Sequence, residues 1–235
     1  VAAHFRAGRA FLLGDAAHVH SPVGGQGMNT GIGDAVNLSW KLAAVLRNGA
    51  RVELLDSYEP ERIAFARRLV ATTDRAFAIA SSDGRIARFV RFNVVPRVAA
   101  LIARSAVGRR FFFRTISQTA IDYRDSPLSA GRAGRIRGGD RLPWVPFNDV
   151  PDFRDNFAPL RSLAWQVHVY GESATDVATI CERRGLLHYV FAWKPAMGKA
   201  GLRRDFMYAV RPDGYVGFAG NVASDLERYL EVVTG

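Results

Sequence analysis

The residues best suited to chemistry are gathered near the start of the chain. Gly14-Asp15-Ala16-Ala17-His18 is followed by Ser21-Pro22-Val23-Gly24-Gly25-Gln26-Gly27-Met28-Asn29-Thr30-Gly31-Ile32-Gly33-Asp34-Ala35. A carboxylate at Asp15 can accept hydrogen bonds from ligand hydroxyls. The small residues after it let a ligand come close to the backbone. A glycine run feeding a helix start offers N–H groups with no partner inside the helix, together with the positive end of the helix dipole. The amides of Met28 and Asn29 therefore suit the electron-rich edge of a ligand. The plainer alternative is a strand–turn–helix in which Asp15 caps a turn and the glycines permit packing, but the ordered set across this stretch favours a ligand. His18 and His20 are of the residue type that most often serves as a general base. Loop histidines in such a place read as hydrogen-bonding or packing groups, and no catalytic side chain is assigned.

These residues need elements to position them. Ala10–Leu13 is a short apolar run with the look of a buried strand entering a turn. After the glycines, Ala35, Leu38, Leu42, Val45 and Leu46 recur on one face of a helix, with Trp40 and Lys41 beside it and Asn48-Gly49 closing it. A second helix spans about 53–81, and Pro60 either kinks it or marks its start. Helical spacing continues to about residue 117, interrupted at Pro96 and Gly108. Residues 125–143 are rich in Gly, Pro and Ser, the composition of a connection. Strand-like runs follow at 165–170, 187–193 and 206–210, with helices at 175–184 and 226–233, and Arg211-Pro212-Asp213-Gly214 reads as a turn. The expected fold is α/β: one unit over 1–124, a linker at 125–143 and a small separate unit over 144–235.

The bulk composition narrows the function classes. The chain has 235 residues and a net charge of +10, and Lys41, Lys194 and Lys199 are its lysines, so arginine carries almost all the positive charge. Eight arginines and no acid lie from Arg85 to Arg114, and the arginines alternate with Ile86, Phe89, Val90, Val94, Val98, Leu101 and Ile102 at near-helical spacing. That alternation is how a solvated helix face reads, and without interleaved aromatic and glycine motifs it gives no nucleic-acid partner. Arg97 and Arg104 break the longest apolar runs, so no membrane span is expected. The N-terminus carries no signal pattern, which makes a cytoplasmic location the expectation. Cys181, the single cysteine, excludes an internal disulfide framework and a CxxC motif and reads as a small buried hydrophobe.

The run GRAFLLGDAAHVHSPVGGQGMNTGIGDAVNLSWKLAAVL resembles the second flavin motif of the group A aromatic-ring hydroxylases, the p-hydroxybenzoate hydroxylase and phenol hydroxylase superfamily. The resemblance is strong over residues 8–62, including Leu55-Asp56-Ser57-Tyr58-Glu59 and Glu61-Arg62, and looser at Tyr123-Arg124-Asp125-Ser126-Pro127-Leu128. It implies an FAD-dependent monooxygenase that uses NAD(P)H and dioxygen to hydroxylate an aromatic, phenolic substrate. It also implies cofactor contacts: Asp15 on the ribityl chain, Pro22 by the isoalloxazine ring, and Gly24, Gly25, Gly27, Met28 and Asn29 near N1 and O2 of the flavin. Val210-Arg211-Pro212-Asp213-Gly214-Tyr215-Val216 resembles a segment of the thioredoxin-like domain appended to many members, a domain that lacks CxxC as this sequence does.

The family's Gly-x-Gly-x-x-Gly turn, its middle Asp-Gly motif and the sheet over its substrate have no counterpart in this sequence. The chain is therefore expected to be the C-terminal part of such an enzyme, inactive by itself, with the other FAD-binding half upstream or on another polypeptide. A homo-oligomer is compatible with that reading. The 144–235 unit is expected to fold alone, with a labile N-terminal third and proteolytic cleavage near 125–143. The rivals are a non-catalytic remnant or interaction module, and a related flavoprotein epoxidase or reductase. Flavin content separates the first rival, and phenol-stimulated NAD(P)H consumption the second.

Overall fold

The computed structural model describes residues 1–19, 26–82, 84–117, 119, 121–147 and 154–234. The chain divides into two compact units, residues 1–36 with 58–121, and residues 37–57 with 122–235.

The first unit opens with a two-stranded antiparallel hairpin, β1 (Arg6–Ala7) and β2 (Ala10–Phe11). The apolar run expected as a buried strand is not buried, since Leu12 and Leu13 are 40% and 37% exposed. With two residues per strand, the hairpin has no layer to bury against. Phe5 fills the interior instead, fully buried and packed near His18 and Tyr58. The Glu59 carboxylate accepts hydrogen bonds from the Phe5 and Arg6 amides at 2.6 and 3.1 Å, which ties the hairpin to the second helix.

Helix α1 (Gly27–Arg47) begins in this unit and ends in the other. Its buried stripe departs from the apolar face that periodicity suggests. Leu46 is 77% exposed, whereas Thr30, Asp34, Asn37 and Lys41 are buried beside Leu38 and Trp40. Helix α2 (Tyr58–Ser81) carries Pro60 in its first turn, so the proline marks the start and does not kink the helix. A 3-10 stretch, Val52–Ser57, precedes it.

Helix α3 (Arg85–Phe89) passes through a π turn at Val90–Val94 into α4 (Val95–Arg104). Pro96 has no N–H to give the carbonyl four residues back, and the widened turn lets the helix run on through the proline. Ser105 then turns extended, and its hydroxyl accepts the Gly108 amide as α5 (Ala106–Ile116) begins. Arg85, Arg88, Arg97, Arg104, Arg109 and Arg110 are exposed as expected, Arg91 is half-buried, and the apolar side is open too: Phe92, Leu101 and Phe113 are 68%, 70% and 66% exposed. Among the described residues no helix is long and apolar enough to cross a membrane.

The second unit is built on a six-stranded sheet. Its strands are β3 (Ala130–Ala133), β4 (Ile136–Arg137), β5 (Gln166–Tyr170), β6 (Leu187–Phe191), β7 (Met207–Val210) and β8 (Val216–Gly220), in the order β4-β3-β8-β7-β5-β6. β5 and β6 are parallel, β7 runs antiparallel to β5 and to β8, and β3 lies parallel to β8. Helices α6 (Thr175–Arg183) and α8 (Ala223–Thr234) contribute Val177, Ile180, Cys181, Leu226 and Leu230 to a core with Val167, Val169, Met207 and Ala209. Tyr170, Tyr208 and Val210 point the other way, into a second core with Met197 of α7 (Pro195–Ala200). The two-residue period of the strands sorts these side chains between the faces.

The segment 125–143 corrects the expected linker. It supplies β3 and β4, and Tyr123 just before it packs on Tyr215 with ring centroids 4.1 Å apart. Its glycines serve close approach: a Cβ on Gly131, whose φ is +75°, would stand 2.2 Å from the Ala219 carbonyl oxygen. A cut in 125–143 would therefore fall inside the sheet and not between domains, and residues 37–57 belong with the C-terminal unit. Cys181 is buried as expected, and burial pushes its thiol up to about 11.

Arg211 and Asp213 hold this unit together at the turn after β7. The fully buried Arg211 makes a forked pair with Asp213 (2.6 and 3.1 Å), and Asp213 also accepts Trp40 Nε1 at 3.0 Å and Asn37 Nδ2 at 3.2 Å. The guanidinium carbon lies 5.2 Å from the ring centroids of both Trp40 and Tyr123. Removing one member of such a pair leaves a buried charge uncompensated. Asp213→Ala should lower the stability of the chain by about 3–5 kcal/mol, measured by denaturant unfolding followed through tryptophan fluorescence.

Candidate functional site

The expected site residues fall on two neighbouring pieces of the first unit. Asp15 sits in a single 3-10 turn, Gly14–Ala16, with its side chain exposed. Gly27, Met28 and Asn29 form the first turn of α1, where Met28 is 75% exposed and Asn29 is also exposed. Pro22, Gly24 and Gly25, with His20, lie outside the described residues. Gln26 supplies the residue before the helix, and its carbonyl accepts both the amide and the hydroxyl of Thr30. Helix geometry leaves the first N–H groups of α1 without an intrahelical acceptor. Asp15, Met28 and Asn29 are thus exposed residues of the same unit.

Two glycines bring the pieces together. Gly14 has φ +58°, a left-handed conformation, and a Cβ built on Gly31 would lie 3.2 Å from the Gly14 Cα. The turn rests directly on the helix backbone because neither residue has a side chain.

Below this contact is a group that periodicity does not reveal. Asp34, on α1 one turn beyond Thr30, is fully buried. Its Oδ2 accepts the Gly14 amide at 3.0 Å and His18 Nε2 at 2.7 Å, and its Oδ1 accepts Arg62 Nε at 2.6 Å. Arg62, 1% exposed, also donates through Nη2 to the Thr30 carbonyl at 3.1 Å. Burial alone pushes the Asp34 carboxyl up. The hydrogen bond from His18, the charge of Arg62 and the Gly14 amide outweigh it and hold the group below the ordinary carboxylate value of 3.8. His18 is 2% exposed and its Nε2 is committed to Asp34, so the ring faces the interior.

Asp34 and Arg62 were visible in the sequence as motif letters without a role. The signal that could have found them is the polar i, i+4, i+7, i+11 series Thr30, Asp34, Asn37 and Lys41, which places charge on a helix stripe that also carries Leu38. Among the described residues no group of three or more His, Cys, Asp or Glu is arranged to hold a metal ion. In the second unit, His168 is a core residue: Gln166 Oε1 lies 2.8 Å from its Nε2, and burial with the nearby His188 pushes its pKa down to about 3.

With this geometry in view, the class of the N-terminal region follows from comparison: residues 1–73 match the family model of the FAD binding domain. The chain is 32% identical over 230 residues to a flavin-dependent monooxygenase of Mycobacteroides abscessus, an alignment covering 96% of this chain and 40% of that protein. It is 47% identical over 152 residues to pentachlorophenol 4-monooxygenase of Sphingobium chlorophenolicum, covering 64% of this chain and 28% of the relative. Among solved structures it is similar to the OxyS anhydrotetracycline hydroxylase from Streptomyces rimosus, with a TM-score of 0.75 and 26% identity over 99% of this chain and 46% of that one. The chain thus spans less than half the length of these relatives.

The lowered Asp34 carboxyl sets a pH dependence. A carboxyl whose folded pKa lies below its unfolded value adds stability above the unfolded value, and that stability is lost as pH falls through the folded one. Acid titration followed by circular dichroism should show the first unit weakening below about pH 4, the range of an ordinary carboxylate. Asp34→Asn should be less stable at neutral pH and less sensitive to acid.

Proposed function

We propose that this chain forms part of an FAD-dependent aromatic monooxygenase, supplying one wall of its flavin site. The observation that carries the reading is the Gly14–His18 turn seated on the start of α1, inside the segment that matches the FAD binding domain. The residues present fit the cofactor. Asp15 is an exposed acceptor suited to ribityl hydroxyls, and the amides around Gly27, Met28 and Asn29 offer partial positive charge to the pyrimidine edge of the ring. Pro22, Gly24 and Gly25 complete the proposed contacts. When bound, the flavin supplies the redox chemistry, taking a hydride from NAD(P)H and passing one oxygen atom of dioxygen to an activated aromatic ring.

The chain's own part is binding and electrostatics. The helix start favours negative charge on the ring without any acid or base side chain, so no residue here is assigned a proton transfer. The phenolic substrate class rests on the resemblance and on the name of the pentachlorophenol relative. The second unit is proposed to be a thioredoxin-like domain without a redox pair. Its β5-α6-β6-α7-β7-β8-α8 succession on one mixed sheet supports that assignment.

The test is flavin binding and turnover. Protein carrying this chain together with a Gly-x-Gly-x-x-Gly half should be yellow and should oxidise NAD(P)H faster with a phenol present. A colourless protein that consumes no NAD(P)H would reject the reading. In the flavin-loaded protein Asp15→Ala should weaken FAD about tenfold to a hundredfold, the effect of losing a hydrogen bond to a charged group. Gly27→Val should be worse because a branched side chain obstructs approach to the backbone. Fluorescence titration with FAD measures both.

A further inference from the structure

Asp34 touches neither the exposed face of the turn nor the open helix start, yet both depend on it. Its carboxylate accepts one donor from each end of the Gly14–His18 turn, the Gly14 amide and the His18 ring. Its other oxygen takes Arg62, which reaches on to the Thr30 carbonyl in the second turn of α1. Asp15 lies between these anchors, followed by Ala16 and Ala17. We infer that Asp34 is a positioning residue for the flavin: it clamps both ends of the Asp15 turn onto α1 and so fixes where the Asp15 carboxylate stands relative to the amides of Gly27–Asn29.

Three features make the clamp specific. Asp34 is 0% exposed and Arg62 1%, so the pair works where water does not screen it. An unpaired charge there would be costly, which keeps all the donors engaged. The seat is shaped by the Gly14–Gly31 contact, which no side chain cushions. His18 also packs against Phe5, with ring centroids 5.9 Å apart, which limits where the far end of the turn can move. This inference rests on the flavin reading above, but the clamp can be tested without flavin.

The experiment is hydrogen–deuterium exchange on the full chain, wild type against Asp34→Asn and Gly31→Ala. Asparagine keeps the shape but turns an amino group toward Arg62 Nε, setting donor against donor. Alanine at 31 pushes on Gly14 Cα and leaves every charge in place. In both variants exchange should rise at residues 14–18, with the amides of Gly14, Ala17 and His18 leading, while α2 stays protected. Unchanged exchange at 14–18 in both variants would overturn the clamp. So would loss of protection throughout the first unit in both, because that is a merely structural role.

A parallel FAD titration, on protein carrying this chain together with a Gly-x-Gly-x-x-Gly half, reads flavin fluorescence and visible circular dichroism. It should give at least about tenfold weaker binding and an altered flavin band in both variants. Wild-type affinity and an unchanged band, with the turn loosened, would remove the positioning role. A wild-type protein carrying both halves that takes no FAD, while the turn of the chain responds as stated, would count against the flavin reading alone.

Discussion

A carboxylate removed from water has to be compensated by donors at close range, because the effective desolvation penalty is several kcal/mol per ion. The first unit is arranged around meeting that demand at Asp34. Three donors meet on it, the amide of Gly14, the ring of His18 and Arg62 from α2, and Arg62 in turn donates to the Thr30 carbonyl of α1. Each is held by one or two hydrogen bonds, and together they leave little freedom to the short hairpin and turn, which have no sheet behind them. The second unit solves the same problem in the same way. Arg211 and Asp213 are both buried, and Trp40, Asn37 and Tyr215 supply the remaining donors to the carboxylate.

Arginine suits both places for a chemical reason. The planar guanidinium offers several N–H groups in a fixed fork and stays charged at any pH the protein meets. At Arg211 its face also lies against Trp40 and Tyr123, so the group is satisfied in its plane by the carboxylate and across its plane by aromatic rings. Arg85, Arg88, Arg97, Arg104, Arg109 and Arg110 are different, standing exposed on helical surface with local contacts such as Arg109 to the Ala103 and Arg104 carbonyls. The same residue type thus carries most of the chain's positive charge and takes part in the buried pairs at Asp34 and Asp213.

Much of this was legible in the sequence, and the gaps have physical causes. The strands near 166, 187 and 207 lie where the sequence places them, as do two helices in the first third of the chain, although the second begins at Tyr58 after a 3-10 stretch and not near residue 53. The turn carrying Asp15 and the helix start carrying Met28 and Asn29 were visible as well, since small residues before an apolar-periodic segment have few other uses. Periodicity failed where the buried stripe is polar. Asp34 looks like a solvent position until its partners from distant parts of the chain are known, and Arg62 lies 28 residues further along. Composition failed at 125–143, where glycine permits strands to approach and does not loosen the chain. Leu12 and Leu13 misled in the opposite sense, being apolar yet exposed beside a hairpin too short to cover them.

The β3–β4 ribbon has a consequence for anyone shortening this protein. β8 is paired on one side by β7 and on the other by β3, so its backbone has no open flank. A truncation chosen at residue 144, where the glycine-rich stretch ends, would strip that cover and expose the edge of Val216–Gly220. Such an edge presents unpaired N–H and carbonyl groups beside the apolar side chains of Val216 and Phe218, a template on which another chain can add a strand. The shortened product would tend to associate edge to edge even though its own fold had kept most of its core. A boundary placed before Tyr123 keeps the guard in place.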